Sequence, residues 1–434
     1  MQQQEFRRRR QELMNLMGEG SVAVLAAAPE RVRNRDVQYR FRQDSDFQYL
    51  TGFPEPEAVL VLVPGRSQGE CVLFCRERDP DREVWDGPRA GQDGAVRDHG
   101  ADDAFPVDDI DDILPGLLEG KDKVYCMLGV DPDFDHSLFG WVNQIRARAR
   151  AGARAPGEFV ALEHHLHEMR LLKSQEEIAT MRRAAQVAAS AHRRAMEVTR
   201  PGMSEYQVEA EFQAIFRRHN GEQAYLPIVG GGANGCILHY VNNDAVLNDG
   251  DLLLIDAGCE LDCYASDITR TFPVNGRFSG EQRAVYDIVL EAQRRAIEAV
   301  VPGAHWNRPH EEAVQVLTRG LKDLGLLAGD LDGLIESEAY RPFFMHRTGH
   351  WLGMDVHDVG DYKLDGQWRE LEPGMVMTVE PGLYISRNVP DVPARWHDIG
   401  IRIEDDVAVT REGYEVLSEG APKDGDEIEA LMRG

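Results

Sequence analysis

Four carboxylates occupy apolar surroundings in the last part of this chain. Asp256 closes the run LLLID (252–256), and Asp267 follows eleven positions later, just ahead of Ile268-Thr269-Arg270-Thr271-Phe272. Glu380 stands in MVMTVEPGLYI (375–385), and Glu404 in GIRIEDDVAV (400–409), two residues past Arg402. His239 lies in GCILHYVNND (235–244), while FFMHRTGHWLGMDVHD (343–358) carries His346, His350 and His357. A lone strand carboxylate usually faces solvent, and a lone histidine among aromatics usually packs in a core. His346 and His350 have the spacing of the helical H-E-x-x-H zinc motif, but Arg347 stands where its glutamate belongs and Gly349 weakens a helix, so that motif is excluded. The set carries the signal: four carboxylates and several histidines on what read as apolar strands of one region.

A buried carboxylate is costly unless a positive partner compensates it. Asp256, Asp267, Glu380 and Glu404 together carry about −4, which one divalent ion leaves in surplus and two neutralise. Two ions need bridging ligands, and carboxylates bridge where imidazole does not. An oxygen-rich set with one histidine suits hard or borderline ions, Mn2+ first, with Co2+ or Zn2+ as alternatives. Paired metals lower the pKa of a shared water and present hydroxide as a nucleophile. The expected chemistry is two-metal hydrolysis.

The elements that must hold these residues are legible in outline. LLLID and the run after Asp267 pair as a hairpin. On a strand, Arg402 and Glu404 share a face. Ser174-Gln175-Glu176-Glu177 is a capping box opening a helix with Ile178, Met181, Ala185 and Ala188 on one side. A second long helix starts at Ser279, and a third covers roughly residues 310–326. Further back, AVLVLV (58–63) and CVLFC (71–75) read as buried strands. The resulting expectation is an α+β chain of two domains, 1–173 and 174–434; at 434 residues it is too long for one ordinary core.

Composition narrows the function classes. The formal net charge is −27, which repels nucleic acid despite Arg7 to Arg10. Those arginines are expected on the solvated face of a first helix, with Phe6, Leu13, Leu16 and Met17 inward. The acidic residues between Asp102 and Asp112 lack the offsets of a calcium loop and are expected at a solvated surface. The opening residues have no apolar stretch of a secretory signal, and no window is long enough to span a membrane. The six cysteines form no C-x-x-C pair and lie mostly in apolar runs, so reduced thiols and a cytoplasmic location are expected.

The motifs D-A-G, S-D-I-T-R-T, G-H-W-L-G-x-D-V-H-D, V-E-P-G and R-I-E-D resemble the pita-bread metallopeptidases. Within them the chain is most similar to the bacterial aminopeptidase P group, and the similarity extends to SDFQYLTGF (45–53), EPEAVLVL (55–62) and HEMRLLKS (167–174). The resemblance implies a creatinase-like N-terminal domain followed by a pita-bread catalytic domain. It also implies removal of the first residue from peptides with proline second. In that likeness Asp256 is a ligand of one metal, Asp267 and Glu404 bridge, and His350 and Glu380 complete the second metal. His239, His346 and His357 match histidines that contact substrate and stabilise the tetrahedral intermediate. Glu380 also matches the general acid/base, and Arg402 an arginine behind the ligands. A homodimer or homotetramer is implied.

The peptide bond before proline has no N–H, so a site for it needs an apolar pocket for the ring, donors for the carbonyl and an anchor for the free amine. His239 and His357 can supply donors. Tyr240, Val356 and Trp85 are candidate pocket walls, Trp85 by way of a neighbouring subunit, with a half-buried structural role as its alternative. An Xaa-Pro dipeptidase shares the same ligand types and is the rival reading. A non-catalytic binding protein on the same fold is the other, and a full set of ligands argues against it, because such carboxylates without metal would destabilise the fold.

Overall fold

The computed structural model describes residues 1–434, which divide into two compact units, Met1–Arg170 and Leu171–Gly434. No helix is long and apolar enough to cross a membrane.

The first unit is built on a six-stranded mixed sheet. Its spatial order is Asp103–Pro106, Cys71–Cys75, Val59–Leu62, Ser21–Ala26, Lys123–Cys126 and Glu158–Ala161. Both runs read as buried strands, Val59–Leu62 and Cys71–Cys75, are buried along their whole length. The four N-terminal arginines depart from expectation. Arg9 and Arg10 are buried rather than solvated, and their guanidinium groups donate to Tyr49 O (3.0 Å) and Leu50 O (2.9 Å). Those carbonyls belong to the last turn of the helix Ser45–Thr51, where carbonyls lack partners within the helix and favour a cation. Leu16, expected inward, is 50% exposed, and Met14 is buried instead. Part of the acidic cluster is structural too: Asp102 accepts from the Glu70 and Cys71 amides, both at 2.9 Å.

In the second unit the order of a helix pair followed by antiparallel strands occurs twice. Gln175–Val198 and Glu205–Arg218 precede the ladder of Ile228–Gly231, Leu252–Asp256 and Thr269–Pro273. Gly280–Glu298 and Arg308–Asp323 precede the strands Val376–Val379, Gly382–Ile385, Ile399–Arg402 and Asp405–Val409. The first helix is opened by the expected capping box of Ser174 with Glu177, and the third by one of Ser279 with Gln282. One apolar core runs through both halves, from Ala188 and Phe212 to Trp351 and Ile401.

The hairpin register places Asp256 opposite Thr269. Asp267 lies two residues before that strand begins, and its amide donates to the Asp406 carboxylate (3.0 Å). In the second half, Val376–Val379 pairs with Asp405–Ala408, and Gly382–Ile385 with Ile399–Arg402. Between these ladders residues 380–381 face 403–404. Pro381 has no N–H to donate, so the pairing is interrupted there. Arg402 and Glu404 were expected on one continuous strand; Arg402 ends the strand before this break and Glu404 lies within it, its amide turned to Thr269 O (3.1 Å). The histidines also differ from expectation. His239, His346, His350 and His357 all sit in irregular segments rather than on strands.

Candidate active site

The break in the second-half ladders brings Glu380 and Glu404 to the ends of Asp256 and Asp267 from the first half. All four line one cavity of about 270 Å³, together with His239, His346, His350, His357 and Arg402. Single ligand atoms from Asp267, His350 and Glu404 all lie within 4.8 Å of one another.

Local backbone contacts fix these positions. In the D-A-G turn, a Cβ on Gly258 would stand 1.7 Å from Ser266 O, so only glycine lets the chain turn back beside Asp267. The segment before His350 is laced to the strand Val376–Val379: Thr378 N donates to His350 O (3.0 Å), and Glu380 N to Thr348 O (2.9 Å). A Cβ on Gly349 would lie 2.1 Å from Thr378 O, which explains the glycine before the histidine.

The electrostatics are those of crowded negative charge. Burial, then Asp267, Glu380 and Asp256, pushes the Glu404 carboxyl well above the carboxylate range. Burial and Asp256 raise Asp267. Burial lifts Glu380 to about 7, with Asp267 and Asp256 adding to it against His350 and Arg402. Such mutual repulsion is relieved by a cation, so this donor set fits divalent metal. His350 is arranged as a ligand: Nδ1 donates to Trp351 O (2.9 Å), leaving Nε2 facing Asp267 (3.4 Å) and Glu380 (3.8 Å). Burial alone would lower its pKa; the hydrogen bond to Asp267 and the charge of Glu380 outweigh it and raise it to about 9.

Behind the carboxylates runs a directed hydrogen-bond chain. The Arg402 guanidinium donates to Asp256 Oδ2 (2.6 Å), to the Tyr384 hydroxyl (2.9 Å) and to Thr269 Oγ1 (3.1 Å). Thr269 donates its own hydroxyl hydrogen bond to Glu404 Oε2 (2.6 Å). His346 Nδ1 bonds Arg347 O (2.7 Å), a pure acceptor, so Nδ1 carries the proton and Nε2 accepts from Tyr384 (2.8 Å). Burial and Arg402 hold His346 neutral, down to about 3.

Sequence reasoning missed several participants. The Tyr225 hydroxyl lies against both Asp256 and Asp267, at 2.5 Å from each. Tyr225 comes from a short segment with no periodicity and no polar neighbour to mark it. Thr269 and Tyr384 were equally silent, since each reads as an ordinary strand residue. Two expected pocket walls are not where they were placed. Tyr240 turns its hydroxyl to Glu205 (2.8 Å), and neither it nor Val356 lines the cavity; Leu238 does. Trp85 belongs to the first unit and is 84% exposed on the helix Pro80–Asp86, so it is not a half-buried structural tryptophan.

The profile of metallopeptidase family M24 matches residues 179–411, and that of the aminopeptidase P N-terminal domain matches residues 6–125. The chain belongs to metallopeptidase family M24, in its aminopeptidase P branch. It is 49% identical over 431 residues to the Xaa-Pro aminopeptidase of Escherichia coli K12, covering 99% of this chain and 97% of that one. It superposes on the aminopeptidase PepP of Pseudomonas aeruginosa with a TM-score of 0.99 at 62% identity, over 100% of this chain and 98% of the other. The E. coli aminopeptidase P bound to the inhibitor Pro-Leu gives 0.97 at 49% identity, over 100% and 98%. The M24 catalytic region therefore contains the whole cavity, and the expected pita-bread fold with its aminopeptidase P N-terminal domain is the fold of this chain.

Proposed function

We propose that the chain is an Xaa-Pro aminopeptidase that removes the first residue from peptides with proline second, using two divalent ions. The observation that carries this reading is the buried cluster of four carboxylates and His350 on one cavity. Its full-length likeness to enzymes named for that activity supports it. Asp256, Asp267, His350, Glu380 and Glu404 would hold the ions, with Mn2+ the first choice for so oxygen-rich a set and Co2+ or Zn2+ as alternatives. Divalent ions there supply Lewis acidity and a water-derived nucleophile at neutral pH.

The chain's own groups do the rest. Glu380 takes a proton at its carboxylate and returns it to the proline nitrogen, a leaving group that has no proton of its own. His239 and His357 line the wall and donate to the substrate carbonyl. Arg402 holds Asp256 in place. His346, with both nitrogens engaged, orients the Tyr384 hydroxyl and presents its ring to the cavity. None of the six cysteines forms a disulfide, in keeping with a cytoplasmic enzyme, and the family resemblance favours a homodimer or homotetramer.

Assaying an Xaa-Pro-Xaa tripeptide beside an Xaa-Pro dipeptide tests the reading. Mn2+-dependent release of the first residue from the tripeptide is expected. Cleavage confined to the dipeptide would move the assignment to a dipeptidase.

A further inference from the structure

The cavity that holds the carboxylates is small. At about 270 Å³ it falls below the roughly 300–1,000 Å³ of common ligand pockets, and metal ions held there would take part of that space. A second cavity of about 720 Å³ adjoins it, bordered by the helix Arg308–Asp323 and by residues 335–345. His346 and Arg347 line both, so the two spaces share a wall.

The charges around the second cavity are nearly all used. Arg308 pairs with Glu311 (3.7 Å) and with Glu312, and Arg341 pairs with Glu338 (2.9 Å). His310 is held neutral, down to about 4, by burial and by Arg347. Arg347 differs from these. It is exposed, has no carboxylate partner, and is aimed by a bond to Asn307 Oδ1 (2.9 Å) and by the Trp368 ring, 5.4 Å away. A guanidinium fixed by a neutral amide and an aromatic face keeps its remaining donors for an external anion.

We propose that this second cavity is the subsite for substrate residues downstream of the proline, and that Arg347 binds the free C-terminal carboxylate of short peptides there. The inference rests on the Xaa-Pro aminopeptidase reading and deepens it. An extended peptide advances about 3.3–3.6 Å per residue, so a chain leaving the first cavity past His346 enters the second within a residue or two. An Xaa-Pro dipeptide ends before it reaches that space, and a tripeptide brings its carboxylate to the junction.

The test compares a Xaa-Pro-Xaa tripeptide as free acid and as C-terminal amide, with the Mn2+-loaded full chain. The acid is expected to have the higher kcat/KM, mostly through KM. In Arg347→Gln the acid-to-amide ratio should fall about tenfold, the scale of one charge-assisted bond. In Gln315→Trp, which places a bulky side chain on the exposed cavity wall, pentapeptides should lose kcat/KM relative to the tripeptide. A wild-type ratio near one, an equal loss on acid and amide in Arg347→Gln, or an unaltered length preference in Gln315→Trp would overturn the proposal. If wild type cleaves neither tripeptide form, the aminopeptidase reading itself fails.

Discussion

The Arg402 guanidinium lies 2.6 Å from Asp256 Oδ2, and the same group reaches Tyr384 and Thr269, so one side chain ties a carboxylate of the first half to strands of both. Both partners are largely enclosed, with 5% and 13% of their side chains exposed. A lysine offers three donors on one compact nitrogen in place of a planar fork, and so cannot span the three separated acceptors. Arg402→Lys is therefore expected to lower kcat about 10- to 100-fold, the usual effect of disturbing groups that orient metal ligands. Steady-state kinetics at saturating Mn2+ check this, and a kcat within twofold of wild type would refute the orienting role.

Asp267 stands at the centre of the cluster, facing Tyr225, His350 and the Glu404 side. Asp267→Ala should lose both metal occupancy and nearly all activity. Metal content per chain after gel filtration gives the first readout and peptide cleavage the second. Full activity in this variant would sink the two-metal reading.

A pH effect on stability follows from His192, which is fully buried beside Phe212. Its Nε2 donates to Ala257 O (3.2 Å), while Nδ1 has no partner, so a second ring proton would be buried without an acceptor. Burial and Arg270 depress its pKa to about 3 from the ordinary 6.5. The sign is that of a depressed group: its contribution is complete above about 6.5. It shrinks as pH falls toward 3, because the unfolded chain gains a proton that the folded one refuses. Each pH unit in that window costs about 1.4 kcal/mol at full effect. Urea unfolding at several pH values should show a shallower acid-side loss in His192→Phe than in wild type; parallel curves would contradict the assignment.

Much of the site was legible because metal chemistry constrains residue type. Asp256, Asp267, His350, Glu380 and Glu404 stand out as polar groups in apolar runs, and their summed charge already asks for cations. The helix starts at Ser174 and Ser279 were legible as well, because a capping box is a contact between residues three apart. Arg9 and Arg10 were misread, since the carbonyls they satisfy lie some 40 positions away in sequence. The break at 380–381 against 403–404 was hidden for a similar reason: it depends on which strands pair.

The sequence by itself determined which carboxylates and histidines stand in apolar runs and what charge they carry, because those are properties of residue types that survive any folding. It also determined the family, through five short motifs. Only the tertiary structure decided that Tyr225 and Thr269 join the carboxylates, that Tyr240 turns to Glu205, and that Arg347 is left with donors free beside a second cavity. Those facts are distances between segments far apart in the chain. They are set by how two helix-and-strand halves pack on one core, and no local pattern of residues encodes them.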